Sequence, residues 1–258
     1  MFDDARGYDR FMGRWSAALA PQFLDAVLEG TQDPTAVCDV GSGTGNLAAA
    51  LLERHPSVRV TGVDPSPPFV AAAQARLGSP RVRFQVGNAL DLPLREHEVD
   101  AALALLVLNF VPDALAAVRE MRRVTRPGGL VGAAVWDYAS GMTMLRVFWD
   151  AVAAVRPGQE VVDQGLDRHA AGGGLGPLLR DAGLADVEEG LADVPQRFSS
   201  FEDYWSPLLG GIGPAGAYVA ALDEDAREAL RAELERRLGS GVIEMTSTAR
   251  WVRGTVPG

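Results

Sequence analysis

A chain of 258 residues is long enough to bury one large core, and its 24 basic against 34 acidic side chains leave a formal charge of −10. That charge repels the phosphate backbone of DNA and RNA, so no nucleic acid is expected as a partner. The single cysteine, Cys38, has no partner for an internal disulfide, and there is neither a signal-like start nor an apolar run of spanning length, which predicts a cytoplasmic protein with no membrane span.

Phe11, Trp15, Leu19, Phe23 and Val27 recur every four residues and trace one side of a helical path. Pro21 interrupts that path, which predicts two short helices with the proline in the first turn of the second. A short apolar run, TAVCDVG, and a helical stretch, NLAAALLERH, come next. The alternation continues with VRVTGVD, SPPFVAAAQARLG closed by Gly78, RVRFQVG, DAALALLVL and PDALAAVREMRRV; a turn at Pro127, Gly128 and Gly129 then leads into LVGAAVWD. Strands and helices alternating at this spacing predict right-handed crossovers and a doubly wound α/β fold, with helices on both faces of a parallel sheet. DAALALLVL, apolar almost throughout, suits a strand covered on both sides.

The second half keeps part of this rhythm. LGPLLRDAGLADVEEGLADV reads as a helix ending at Gly183 and then a strand, and TSTARWVRGTV, rich in β-branched residues, reads as the last strand. Residues 198–241 between them read as a cap with two helical stretches and a Gly/Pro-rich centre. It is not a separate domain, because the strands on either side belong to one sheet. The expected organisation is a single domain over 1–258, with an N-terminal helical lid over 1–30, a cofactor-binding core over 36–137 and the cap over 198–241. The cap and the N-terminal helix together are expected to cover the acceptor pocket as a lid.

The most informative stretch is DVGSGTGNL, Asp39 to Leu47. A glycine-rich turn between a first strand and a first helix lets backbone approach a ligand above the helix N-terminus. The dinucleotide form of this turn is G-x-G-x-x-G, and from Gly41 and Gly43 its third glycine would fall at Asn46, whereas the glycine here is Gly45. Asp39 also lies inside the strand end, where many dinucleotide folds carry a small or apolar residue. A nicotinamide-dependent reductase is disfavoured further by the lack of a Tyr-x-x-x-Lys pair, since the chain has no lysine.

DVGSGTG resembles the first motif of class I S-adenosylmethionine-dependent methyltransferases. VTGVDPS, VGNALDLP, VDAALALLVLNFVPD and RRVTRPGGLVGAAVWD resemble the segments that follow in that family. The opening YDRFMGRWS is similar to the N-terminal helix of its small-molecule members related to ubiquinone and menaquinone biosynthesis. The resemblance covers most of the chain and is weakest over 156–175. It implies the Rossmann-like methyltransferase fold, a mostly parallel seven-stranded sheet, with S-adenosyl-L-methionine as cofactor.

What the resemblance implies for the site can be placed residue by residue. Gly41, Ser42, Gly43 and Gly45 bound the methionine portion, and Asp39 bonds toward its amino group. Asp64 ends the second strand about twenty residues past the loop and accepts from the ribose hydroxyls; Pro65 and Phe69 flank the adenine. Asn88, Ala89 and Leu90 surround the far edge of the adenine, Asn88 standing where the family most often has Asp. Leu105 and Leu106 lie under the sulfonium. Arg14 is expected either to pair with the cofactor carboxylate or to pack at the surface, and Tyr8 either to cover that carboxylate or to join the core.

A sulfonium methyl is already activated, so its transfer needs in-line alignment and exclusion of water more than a catalytic side chain. If a hydroxyl or acidic carbon accepts it, the candidate bases are Asp137, Tyr138 and His169. His55 and His97 read as surface residues, and three scattered histidines and one cysteine suggest no metal site. Asn109, Phe110, Trp136, Tyr204 and Trp205 are candidates to line a pocket for a small organic acceptor, or else to pack the cap. The alternative to methyl transfer is a non-methylating member that binds the cofactor as structure, cyclase-like or ligand-binding.

Overall fold

The computed structural model describes residues 12–158, 174–211 and 213–258. In chain order they form α1 (Arg14–Leu28), β1 (Ala36–Val40), α2 (Asn46–Arg54), β2 (Arg59–Asp64), α3 (Pro67–Arg76), β3 (Val82–Val86), β4 (Val99–Leu105), α4 (Ala114–Val124) and β5 (Thr125–Trp136). There follow α5 (Thr143–Val155), α6 (Leu175–Asp181), β6 (Ala185–Phe198), α7 (Phe201–Trp205), a 3-10 turn (Ser206–Gly210), α8 (Gly213–Ala220), α9 (Glu224–Leu238) and β7 (Ile243–Thr255).

The seven strands make one sheet in the order β3-β2-β1-β4-β5-β7-β6. β1 to β5 run parallel, and β7 is antiparallel to both β5 and β6. The chain winds outward from β1 through β2 to β3, then returns to the other side of β1 as β4. The sheet therefore reverses its winding between β1 and β4, and a crevice opens beyond the carboxyl ends of those two strands, where open α/β sheets bind their ligands. One core lies under α1, α2, α5 and the cap. A second lies on the other face under α4 and α6.

Four expectations change. α1 is one helix with Pro21 inside it. A mid-helix proline costs about 3 kcal/mol, but Trp15, Leu19, Phe23, Leu24 and Val27 are all buried on one side, and each such burial stabilises by roughly 1.5–3 kcal/mol. The tertiary term wins. α5 was not anticipated from sequence, although its buried Met144, Phe148, Ala151 and Val152 keep helical spacing. The Gly/Pro-rich centre of the cap is itself helical, as α8. Pro127 to Gly129 interrupt β5 only locally, through a positive φ of 71° at Gly128 and a register shift against β4.

The cap packs into the sheet's own core. Phe201, Tyr204, Trp205 and Leu208 are buried, and Tyr204 Oη donates to the carbonyl of Met144 on α5 at 2.8 Å. Phe201 and Trp205 stack with an interplanar angle of 11°.

Candidate cofactor site

The alternate glycines follow from backbone geometry. Gly41, Gly43 and Gly45 all have positive φ, at 68°, 53° and 85°, a region that side chains with a Cβ rarely adopt. At Gly41 a Cβ would also stand 2.3 Å from Cγ2 of Val107. The left-handed turns carry the chain from β1 across to β2, where Gly41 and Ser42 amides both donate to the carbonyl of Val63, and then into α2 at Gly45.

Asp64 closes this crossing. Its Oδ2 accepts from the Gly43 amide and its Oδ1 from the Ser66 amide, both at 2.9 Å. Burial pushes its carboxyl above the usual range against the pull of those two N–H groups. Beyond it opens a cavity of about 450 Å³, bounded by Gly41, Gly43, residues 63–67, Phe69, Asn88, Ala89, residues 105–107 and residues 110–112. Leu106 leaves β4 at a φ of +63°, held by its amide bond to the carbonyl of Ala134 at 2.8 Å. A leucine in that region stores strain of order 1–3 kcal/mol, a feature that concentrates at functional sites.

Next to the cavity, sharing Gly41, Gly43 and Leu105 with it, lies a recess of about 30 Å³ lined also by Ser16, Asp39, Ser42, Thr44, Asn46 and Leu47. That is room for a group the size of a water or an ammonium. Two buried atoms there, Asp39 Oδ2 and Ser42 Oγ, have no hydrogen-bond partner. Buried polar atoms are seldom left so, and an orphan pair of this kind calls for a ligand. Burial first, then the nearby Asp64 charge, push the Asp39 carboxyl up to about 7, against a bond from the Ala48 amide. A cationic ligand group would reverse that penalty. The residues present thus fit the two ends of S-adenosylmethionine: a cavity with room for the adenosine and a carboxylate on its wall, and a cation-sized recess with another.

Several sequence-predicted residues lie elsewhere. Arg14 points to the cap, pairing with Asp203 at 2.9 Å and lying 4.3 Å and 4.6 Å from the ring centres of Trp15 and Phe198, so it joins α1 to α7. Asp137 is fastened by the Ser140 hydroxyl at 2.6 Å and by Arg250 at 3.2 Å. Burial raises its carboxyl, but the Ser140 and Arg250 contacts outweigh this and hold it below the usual range, which leaves a poor base. Tyr204 and Trp205 are core residues of the cap, and burial pushes the Tyr204 phenol far up. Trp136 is likewise buried, in the core that carries the cap, with its Nε1 unpartnered, and Tyr138 packs against that core.

Asn88 borders the cavity, but its Oδ1 already accepts from the Leu90 amide at 3.0 Å, leaving one lone pair for a ligand. Leu90 does not line the cavity and packs against the second core. Phe110 lines the cavity, whereas Asn109 is buried behind it with Oδ1 unpartnered. His97 faces the carbonyl of Thr125 at 3.0 Å, at the amino-terminal end of β5. Tyr8 and His169 lie outside the described residues. Sequence reasoning missed Val107, Val111 and Pro112 on the cavity wall and Ser16, Thr44 and Asn46 in the recess. The VPD that follows Phe110 was the available signal for Val111 and Pro112, and the glycine-loop stretch itself for Thr44 and Asn46; Ser16 becomes visible only when α1 is docked.

Comparison with known proteins agrees with this geometry. The profile of a methyltransferase domain matches residues 38–132. An uncharacterised protein of Mycobacterium tuberculosis is 28% identical over 213 residues, covering 78% of this chain and 72% of that one. A demethylmenaquinone methyltransferase of Roseiflexus castenholzii is 33% identical over 129 residues, 49% of this chain and 54% of the relative. In fold, the chain is similar to phosphoethanolamine N-methyltransferase 2 of Haemonchus contortus in complex with S-adenosyl-L-methionine, with a TM-score of 0.58 at 15% identity over 98% of this chain and 57% of that one. Residues 38–132 thus carry a methyltransferase domain, and this match, the relatives and the fold support an S-adenosylmethionine-dependent methyltransferase with S-adenosyl-L-methionine as its cofactor. Among the described residues, no helix is long and apolar enough to cross a membrane.

Proposed function

We propose that the chain transfers the methyl group to a small organic acceptor and that alignment and desolvation, with no general base, drive the step. The observation that carries the cofactor's placement is the orphan pair, Asp39 Oδ2 and Ser42 Oγ, in the recess beside the Asp64 cavity. Asp39 and Ser42 receive the methionine ammonium, and Gly41 and Gly43 let backbone approach the chain that links it to the sulfur. Asp64 accepts from the ribose hydroxyls through lone pairs left over by its two backbone bonds. Pro65, Phe69, Asn88 and Ala89 border the adenine. Bound there, the cofactor supplies a methyl group already activated on a sulfonium.

Leu105 and Leu106 meet that group from below with apolar side chains, which exclude water from the reacting atoms. In this reading residues 36–137 carry the cofactor within one methyltransferase domain, and the apolar wall of Phe110, Val111 and Pro112 favours an uncharged acceptor surface nearby. Support for the alignment-only step comes from Asp137, whose carboxylate is held by Ser140 and Arg250. The test offers a panel of small phenols, amines and quinols with S-adenosylmethionine and follows formation of S-adenosylhomocysteine. Turnover should appear with at least one class and persist in Asp137→Asn and Tyr138→Phe. A loss of about 10²-fold or more in either, with cofactor affinity intact, would identify a general base and contradict the reading. Tight cofactor binding with no turnover across the panel would favour the non-methylating alternative.

A further inference from the structure

Asn46, the first residue of α2, has no role in the reading above, yet both donors and the carbonyl of its side-chain amide are engaged. Its Nδ2 donates to Ser16 Oγ at 2.7 Å and to the carbonyl of Gly13 at 3.1 Å, and its Oδ1 accepts from Arg76 at 2.8 Å. Ser16 Oγ in turn donates to the Gly13 carbonyl at 2.9 Å. These bonds join the opening turn of α1, the start of α2 and the end of α3 at one point. That point is the wall of the recess, which both Ser16 and Asn46 line. No residue of α1 lines the larger cavity.

The arrangement separates two functions. A shift of α1 changes the shape of a recess with room for about one small group, while the cavity bounded by Asp64 keeps its walls. Shape tolerance in so small a space is low, because interiors have few voids and a misplaced wall forfeits contacts outright. The amide is also the right group for the task. Two donors on one nitrogen reach two acceptors of the same turn, and the carbonyl is left for Arg76. A carboxylate at this position would lose both donors, and a leucine would lose all three bonds.

We propose that Asn46 is a positioning residue that fixes the opening turn of α1 against the glycine loop and thereby sets the enzyme's selectivity for the amino-acid end of its cofactor. This rests on the placement of the methionine end in the recess. The consequence is a selective one: loosening the joint weakens ligands that carry the amino-acid end and spares those that stop at the sulfur.

Calorimetry on the full chain distinguishes them with two probes: S-adenosylhomocysteine, and 5′-methylthioadenosine, which keeps the adenosine and sulfur but lacks the amino-acid end. In Asn46→Ala the affinity for S-adenosylhomocysteine should fall about tenfold or more, as expected for losing the pair of part-buried hydrogen bonds to the opening turn, with 5′-methylthioadenosine within about twofold of the parent. Ser16→Ala removes the other end of the same joint from a different helix and should show the same selectivity; it also carries the test if Asn46→Ala does not fold. The double variant should be no weaker than the weaker single one, since both remove one interaction. Equal loss for the two probes, or no loss for either, would overturn the proposal while leaving the cofactor placement standing. Failure of the parent protein to bind S-adenosylhomocysteine would overturn both.

Discussion

Two buried carboxylates, Asp39 and Asp64, stand on the β1 and β2 ends, and their surroundings tell them apart. Asp64 is held by two amides, while Asp39 keeps one oxygen unpartnered. Asp64→Ala should weaken S-adenosylhomocysteine by at least about tenfold for each ribose bond lost, since hydrogen bonds to a charged group contribute about 1.5–3 kcal/mol. Unchanged affinity by calorimetry would remove the ribose role, and NAD should not bind in the same titration. Asp39 gives a pH signature. Its folded value, about 7, lies above the 3.8 of the free group, so the folded state holds the proton more tightly than the unfolded one. Its contribution to stability is complete below the unfolded value and is lost as pH rises through about 7; Asp64 is shifted in the same direction. Chemical denaturation across that window should show this slope, and Asp39→Asn should flatten it. A cationic ammonium in the recess favours the ionised carboxylate, so binding near pH 7 should release a proton, read as a buffer-dependent heat. At this scale the glycines and Asp64 were legible from sequence because local backbone geometry and strand ends dictate them. Arg14 was not, because its choice of Asp203 depends on a partner 189 residues away.

Between residues and the whole fold stand the elements, where apolar spacing proved a better guide than single breakers. Pro21 reads locally as a break, but the buried side of α1 overrides it. The cap was legible as an insertion between the last two strands, and its aromatic spacing was correct; what the spacing did not reveal is which surface those aromatics meet. They meet α5, an element that the sequence reading passed over. Tyr204→Phe should therefore cost about 1 kcal/mol of stability, the usual net worth of one hydrogen bond, with methyl transfer unchanged. Trp205→Ala should cost about 3–5 kcal/mol in a denaturant titration. A large drop in turnover for Tyr204→Phe at full stability would return Tyr204 to the acceptor site. The same packing bears on the expected lid. Buried aromatics and a hydrogen bond to α5 predict that residues 201–208 are protected from hydrogen exchange with or without cofactor. Protection that appears only on binding would favour a moving cover.

For the molecule as a whole, the alternating pattern was enough to predict a doubly wound sheet, because parallel strands covered on both faces read as apolar runs joined by helices. The resemblance of successive motifs supplied the seven-stranded form, and the structure places β7 antiparallel between β5 and β6. From that topology follows the crevice between β1 and β4, and from the crevice the one place where the glycine loop, Asp39, Asp64 and the strained exit of Leu106 meet. The acceptor is less legible, since no motif in the sequence specifies its chemistry. The most direct test of the account is a crystal structure of the chain with S-adenosylhomocysteine. The account predicts the ribose hydroxyls on the Asp64 carboxylate and the ammonium in the recess, within hydrogen-bonding distance of Asp39 Oδ2. Cofactor bound elsewhere, or bound in the crevice with Asp39 and Ser42 still unpartnered, would contradict it.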